Sequence, residues 1–283
     1  MSLVTMKYEM MKAMKGGYAV PAFNFFSFDN LVGIAKAAAE KKSPVIAMAT
    51  TSGIKVMGEK AVVKMAEGIA ADFGINMILH LDHCTDIDLL KRCVDNGFTS
   101  VMIDSSKKDF EANMADTREV VEYASKYGVS VEAELGHVGG KEDDIVVDDM
   151  SVMFTQPEKA FEFVNATGID ALVGTVHGFY KAEPKLDFDR IGKIHSLLPS
   201  TPLVLHGGTG VPYDDFRKAI KLGIRKINVG TELKVHGVFD TSVAGYNDPA
   251  SKSDPRAVSK LVIAKVSSIC GEIIDVMGSE NRA

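Results

Sequence analysis

Only three of the 283 residues are cysteine: Cys84, Cys93 and Cys270. Their spacing fits neither a zinc finger nor a disulfide framework, so the chain suits a reducing compartment, the cytoplasm. Long apolar runs are also missing. No stretch of about 18 apolar residues exists and the N-terminus lacks the apolar segment of a signal peptide, which argues against membrane insertion and secretion. There is no surplus of positive charge, since 32 basic against 38 acidic residues give a net charge of −6. The signs are interspersed and form no basic stripe, which excludes nucleic acid as an expected partner. An early Gly-x-Gly-x-x-Gly, the mark of an open dinucleotide-binding sheet, is absent, as is any linker or low-complexity tract.

What the chain does have is 46% hydrophobic residues, enough for a large core in two domains or one barrel. Short β-rich runs recur at Tyr18–Phe25, Pro44–Met48, Asn76–Asp82, Thr99–Asp104, Val129–Glu134, Asp170–Thr175, Pro202–His206 and Arg225–Val229. Between them lie segments with apolar residues every three or four positions: Phe28–Glu40, Gly58–Phe73, Asp86–Asn96, Asp109–Tyr127, Pro157–Ala166, Asp187–Leu198 and Tyr213–Leu222. Gly97, Gly128, Gly168 and Gly223 end four of these segments, as helix C-termini favour. Eight strands alternating with helices predict an α/β fold, a (β/α)8 TIM barrel formed as one domain over residues 1–283. Thr231–Tyr246 reads as the last barrel helix. Residues 247–283 then form an extra C-terminal helical arm, in which a polar break at Asn247–Pro255 precedes a long amphipathic helix, Lys260–Met277. Its apolar stripe is expected to pack on a second subunit rather than to cap the barrel.

The ends of the strands carry the chemistry. The third runs Met77-Ile78-Leu79-His80-Leu81-Asp82-His83. Neighbouring side chains on a regular strand face opposite ways, so Asp82 and His83 can share a site only if the strand gives out there and turns. The fourth ends in Asp104 and the fifth in Glu132-Ala133-Glu134. The sixth runs into Gly174-Thr175-Val176-His177-Gly178 and the seventh into His206-Gly207-Gly208-Thr209-Gly210. The eighth runs into Asn228-Val229-Gly230-Thr231. In a barrel these ends share the active-site face. One such histidine is most simply an ordinary packed residue. Three arriving from separate strands, His83, His177 and His206, match an open zinc site with three nitrogen ligands. The glycine-rich turns after strands seven and eight occupy the places where barrels bind phosphate. His80 reads as a hydrogen-bonded interior residue, and Cys84 as a small packing residue. His137, His195 and His236 lie in a loop or helical segments and carry no expected role. The loop from Leu135 to Thr155, with Gly139-Gly140 ahead of Lys141-Glu142-Asp143-Asp144, suits a lid that brings in a carboxylate.

These residues resemble the class II, zinc-dependent fructose-bisphosphate and tagatose-bisphosphate aldolases over nearly the whole chain. The resemblance rests on Val20-Pro21-Ala22-Phe23-Asn24, His80-Leu81-Asp82-His83, Ser100-Val101-Met102-Ile103-Asp104 and Glu132-Ala133-Glu134-Leu135-Gly136. It also rests on Gly174-Thr175-Val176-His177-Gly178, Leu205-His206-Gly207-Gly208, Lys226-Ile227-Asn228-Val229 and Asp254-Pro255-Arg256. It implies Zn2+ on His83, His177 and His206, with Asp104 and Glu134 near an alternative metal position. Asp82 is implied as the acid at the aldehyde oxygen and Glu142 as the mobile-loop base. Asn24, Gly178, Gly207, Gly208, Thr209, Asn228, Gly230 and Thr231 are implied around the substrate, with Na+ or K+ near the phosphate loop. Arg256 resembles the arginine that reaches the far phosphate from a neighbouring subunit of a homodimer or homotetramer.

The implied reaction is reversible cleavage of tagatose or fructose 1,6-bisphosphate into dihydroxyacetone phosphate and glyceraldehyde 3-phosphate, through an enediolate whose charge zinc stabilises. The strand-seven turn and Gly230 lean towards the tagatose branch; an inositol-pathway or sulfo-sugar phosphate is an alternative substrate. One departure stands out. Only Ala171-Leu172-Val173 separate Asp170 from Gly174, about three residues short of the family pattern, or roughly 10 Å of strand, which makes His177 the ligand most open to displacement. A barrel that binds sugar phosphate without catalysis is one competing reading. A Schiff-base aldolase is another, with Lys226 its only inward lysine.

Overall fold

The structure, a computed structural model, describes residues 3–136, 141–142, 145–146, 154–174, 177–180, 183–251 and 254–283. For 141–142, 145–146, 177–180 and 183–184 it describes the backbone alone. Eight strands follow the apolar runs: β1 (Val20–Asn24), β2 (Val45–Thr50), β3 (Met77–Cys84), β4 (Ser100–Ile103), β5 (Ser130–Leu135), β6 (Ala171–Gly174), β7 (Leu203–Leu205) and β8 (Ile224–Val229). They pair in parallel, each with its sequence neighbours, and β8 closes on β1 to complete the barrel. Strands buried on both faces read as apolar runs rather than as alternation, which is why they stand out in the sequence.

The helices form the outer layer. They are α1 (Met6–Gly16), α2 (Phe28–Lys41), α3 (Thr51–Met57), α4 (Glu59–Phe73), α5 (Ile87–Asn96) and α6 (Phe110–Ser125). Then come α7 (Pro157–Thr167), α8 (Phe188–Leu197), α9 (Tyr213–Lys221), α10 (Asp240–Asn247) and α11 (Pro255–Met277). Several starts are fixed by an aspartate side chain that accepts from the first-turn amides, as Asp86 does from Asp88 and Leu89 and Asp109 does from Ala112. Gly97 and Gly168 close α5 and α7 in the left-handed conformation.

The interior is layered. Val20, Ala22, Ile46, Met48, Ile78, Met102, Ala171, Val173 and Val204 form an apolar cluster inside the barrel, closed from below by Met6, Met10 and Ala13 of α1. The outer faces of the strands join the main core against the helices. The inward positions change character towards the strand C-termini, where His80, Asp82, Glu132, Glu134, His206, Lys226 and Asn228 are all buried.

Four expectations need correction. The segment assigned as the last barrel helix begins as a π-helix, Leu233–Phe239, before continuing as α10. Pro255 does not break the C-terminal helix but starts it at the first position, with Asp254 accepting from the Arg256 amide. The apolar stripe of α11 is not left for a second subunit. Val258, Val262, Val266, Ile273 and Ile274 are buried within the chain, and a Cβ on Gly33 of α2 would lie 2.7 Å from Val266. Beyond β6, His177–Tyr180 pairs antiparallel with Glu183–Leu186 in a separate two-stranded ribbon, where only the end of a strand and a loop are expected.

Candidate active site at the barrel mouth

Asp82 follows His80 by two positions and points inward with it. His83 should then point away. It does not, because the β3–β4 register slips between Leu81 and Cys84 and His83 takes φ +45°. A bulge of this kind re-aims one side chain while pairing continues. The left-handed backbone costs on the order of 1–3 kcal/mol for a non-glycine residue, and surrounding contacts must hold it. The strand therefore does not end at His83, as its alternation suggests, but stays in the sheet to Cys84.

The two histidines meet there. His83 Nε2 lies 2.9 Å from His206 Nδ1, with the rings edge to face. Each outer nitrogen is braced by a carboxylate, His83 Nδ1 by Asp104 Oδ2 at 2.9 Å and His206 Nε2 by Glu132 Oε1 at 2.9 Å. Burial pushes both carboxyls up, but their partners outweigh it. The hydrogen bond and charge of His83, with Ser106 Oγ and its amide, hold Asp104 well below the usual carboxylate range. Lys226, then His206 and His80, do the same for Glu132. Ionised carboxylates only accept, so both outer nitrogens carry the hydrogen. The two inner nitrogens, 2.9 Å apart, are then left to share one proton or to take a cation.

The donor set fits a divalent ion. The ligand atoms of Asp82, His83 and His206 lie within 4.8 Å of one another, as do those of His83, Asp104 and Glu134. At ordinary zinc–nitrogen lengths, two tetrahedral ligands stand about 3.3 Å apart, so the rings need part only slightly. The carboxylate-braced histidine is the usual outer shell of such a site.

Asp82 lies beside the pair. Asn24 Nδ2 donates to its Oδ2 at 2.9 Å and Asn228 Nδ2 to its Oδ1 at 3.4 Å. Burial raises its carboxyl, while His83, His206 and the Lys226 ammonium pull it below the ordinary value. Next to it the strand-seven turn and β8 approach closely. The Gly208 amide donates to Asn228 O at 3.1 Å, and a Cβ on Gly208 would stand 2.7 Å from that oxygen. A Cβ on Gly230 would stand 2.6 Å from Asn24 Oδ1. Gly207, Thr209 and Gly230 are partly exposed and Thr231 exposed around this rim.

Asn24, Asp82, His83, Asp104, Glu134, His206 and Asn228 are thus brought together. The side chains of His177 and Glu142 lie outside the described residues, as do those of Phe179 and Tyr180, His137, and most of the loop expected to act as a lid; Gly178 is described by its backbone, paired with Lys185. Arg256 stands elsewhere, exposed at the start of α11 and paired with Asp254 at 2.9 Å. His80 is buried with its Nδ1 2.7 Å from Ser100 Oγ, and Cys84 is a buried packing residue whose thiol donates to Asp86 O. Missing from the expected site were Glu132 as a brace and Lys226 as its counter-ion. Glu132 was open to detection, since it lies two residues before Glu134 and so on the same strand face.

Fold and site together define an α/β barrel that carries its chemistry at the strand C-termini. The sequence model described as fructose-bisphosphate aldolase class-II matches residues 4–282. The chain is 41% identical over 282 residues to the D-tagatose-1,6-bisphosphate aldolase subunit GatY of Klebsiella oxytoca, covering 96% of this chain and 98% of that protein. The crystal structure of the YdjI aldolase from Escherichia coli K12 superposes with a TM-score of 0.84 at 30% identity, over 99% of both chains. The fructose-bisphosphate aldolase of Campylobacter jejuni, at 20% identity and a TM-score of 0.83 over 100% of this chain and 97% of that one, shares the fold. The chain belongs to the class II fructose-bisphosphate aldolase family. Its activity class is that of an aldolase, a carbon–carbon lyase.

Proposed function

We propose that this aldolase reversibly cleaves a ketose 1,6-bisphosphate, tagatose 1,6-bisphosphate before the fructose epimer, to dihydroxyacetone phosphate and glyceraldehyde 3-phosphate. The observation that carries the metal-dependent form of the reaction is the His83–His206 pair, whose inner nitrogens converge while carboxylates hold the outer ones. These two residues, with His177, would hold a zinc ion, which would supply Lewis-acid stabilisation of the negative charge left on the ketose half. In cleavage, Asp82 accepts the proton of the hydroxyl that becomes the aldehyde oxygen as the carbon–carbon bond parts. The bonding electrons stay with the dihydroxyacetone phosphate half, and Glu142 returns a proton to its carbon. Condensation runs the same transfers backwards. Asn24 and Asn228 orient Asp82. The turns at Gly207–Thr209 and Gly230–Thr231 receive the phosphate, with Na+ or K+ beside them.

Lys226 does not suit a Schiff-base mechanism, which needs a neutral amine free to attack. Its Nζ lies 2.9 Å from both Glu132 oxygens and is fully buried. The exposed Arg256 fits a homodimer or homotetramer in which it serves a neighbouring site. Among the described residues no helix is long and apolar enough to cross a membrane, in keeping with a cytoplasmic enzyme. The test is to condense dihydroxyacetone phosphate with glyceraldehyde 3-phosphate, with and without chelator, and to measure the ratio of tagatose to fructose product. Tagatose in excess, abolished by chelator, is expected. Absence of product with every divalent metal tried leaves only a phosphate-binding barrel.

A further inference from the structure

We propose that Glu132, clamped by Lys226, is a positioning residue that fixes His206 in the tautomer and ring orientation presenting Nδ1 to a divalent cation. The inference rests on the metal-dependent reading above. It starts from a pair that packing alone does not explain. Glu132 and Lys226 are both fully buried one layer below the mouth, and Lys226 Nζ contacts both carboxylate oxygens at 2.9 Å. A buried ion pair is commonly no more stabilising than two apolar side chains of the same volume, so such a pair inside a barrel calls for another role.

Its geometry supplies one. Glu132 Oε1, already holding Lys226, also lies 2.9 Å from His206 Nε2. A carboxylate without a proton can only accept, which places the ring hydrogen on Nε2 and the lone pair on Nδ1, towards His83. In the other tautomer an N–H would point at His83 Nε2 and close the cation position. Lys226 secures the arrangement by holding both Glu132 oxygens at 2.9 Å, which fixes the direction from which Oε1 meets the His206 ring. The unit is therefore a three-part relay of position, Lys226 on β8 to Glu132 on β5 to His206 directly after β7. Asp104, directly after β4, braces His83 in the same way, so each histidine is set from a different part of the barrel.

The experiment uses the full chain stripped of metal. Glu132→Met with Lys226→Met removes both charges at nearly constant volume, and Glu132→Gln with Lys226→Met keeps a carbonyl able to accept from Nε2–H. Zinc affinity is read by competition with a chromophoric chelator, and the His206 tautomer by its nitrogen-15 shifts. The double methionine variant is expected to bind zinc ten- to a hundredfold more weakly than wild type and to lose the single-tautomer signature. The glutamine variant should recover part of both. If the methionine pair does not fold, the glutamine variant against wild type decides. Zinc affinity within threefold of wild type, with the tautomer unchanged, overturns the positioning role alone. A wild-type chain that binds no zinc overturns the metal reading and this inference with it.

Discussion

Asn24 Nδ2 sits 2.9 Å from Asp82 Oδ2 and so ties the first barrel strand to the third at the carboxylate assigned to proton transfer. The contact favours the ionised acid, as do the neighbouring His83, His206 and Lys226, against a burial that disfavours it. Asp82 is thus held ready to accept a proton, which is what the cleavage direction asks of it.

Replacing Asp82 by alanine should therefore leave bound zinc and fold in place while turnover falls by roughly 10²–10⁴, the usual worth of a positioned acid–base group. Asn24→Ala should cost less, about ten- to a hundredfold, corresponding to one hydrogen bond to a charged group. Steady-state cleavage rates with metal content measured on the same samples decide. An alanine variant at 82 that keeps a tenth of wild-type turnover removes Asp82 from the mechanism.

Metal removal gives a second expectation. Dialysis against a chelator should abolish activity and zinc alone should restore it. Zinc at a hundred times its Kd should also stabilise the stripped protein by about 2.7 kcal/mol, read as a rise in thermal midpoint. His83→Ala and His206→Ala should each erase that rise. If either single variant keeps the full zinc-induced shift, the convergence of these two rings is not the metal site.

How much of this was legible follows from the physics of each signal. The eight strands showed because strands buried on both faces are short apolar runs between helices, and parallel pairing left few topologies open. His83 joining Asp82 in one cavity was not legible as it occurs. Alternation along the strand forbids it, and the register slip with φ +45° that permits it has no mark in the residue types. Helix α1 was hidden because its inward face mixes Met6, Met10 and Ala13 with the fully buried Glu9, which breaks the apolar stripe. Glu132 was overlooked beside Glu134 although the two-residue repeat puts both inward. Its partner Lys226 read as a lone amine, because nothing in one sequence says which strand will face it.

The close approach of the strand-seven turn to β8 gives a third expectation. A Cβ at 208 would stand 2.7 Å from Asn228 O, 3.1 Å from Ile227 and 3.2 Å from Phe216. Backbone oxygen cannot swing away as a flexible side chain can, so Gly208→Ala must displace the turn, at a cost of about 1–3 kcal/mol. Because Asn228 also holds Asp82 and the turn is assigned to phosphate, KM for the bisphosphate should rise along with the loss of stability. Unchanged unfolding midpoint and unchanged KM in this variant contradict the crowding.

The last expectation concerns acid. His80 is fully buried, and desolvation, with Lys226 nearby, lowers its pKa to about 3 against contributions from Glu132 and Asp82. The unfolded chain protonates this ring below its ordinary value of about 6.5, whereas the folded chain keeps it neutral down to about 3. The unfolded state thus binds more protons across that window, and stability must fall as pH drops, by up to about 1.4 kcal/mol per pH unit. Asp82, Asp104 and Glu132 have lowered folded values, so their stabilising contributions are lost only below the ordinary carboxylate range of about 4. Between pH 6.5 and 5 the difference between wild type and His80→Gln isolates the histidine. Urea unfolding of the metal-free proteins should show wild type losing about 1.6 kcal/mol more than the variant over that interval. Parallel stability curves for the two proteins mean that His80 takes up its proton while still folded, and that the middle layer of the barrel is wetter than its packing indicates.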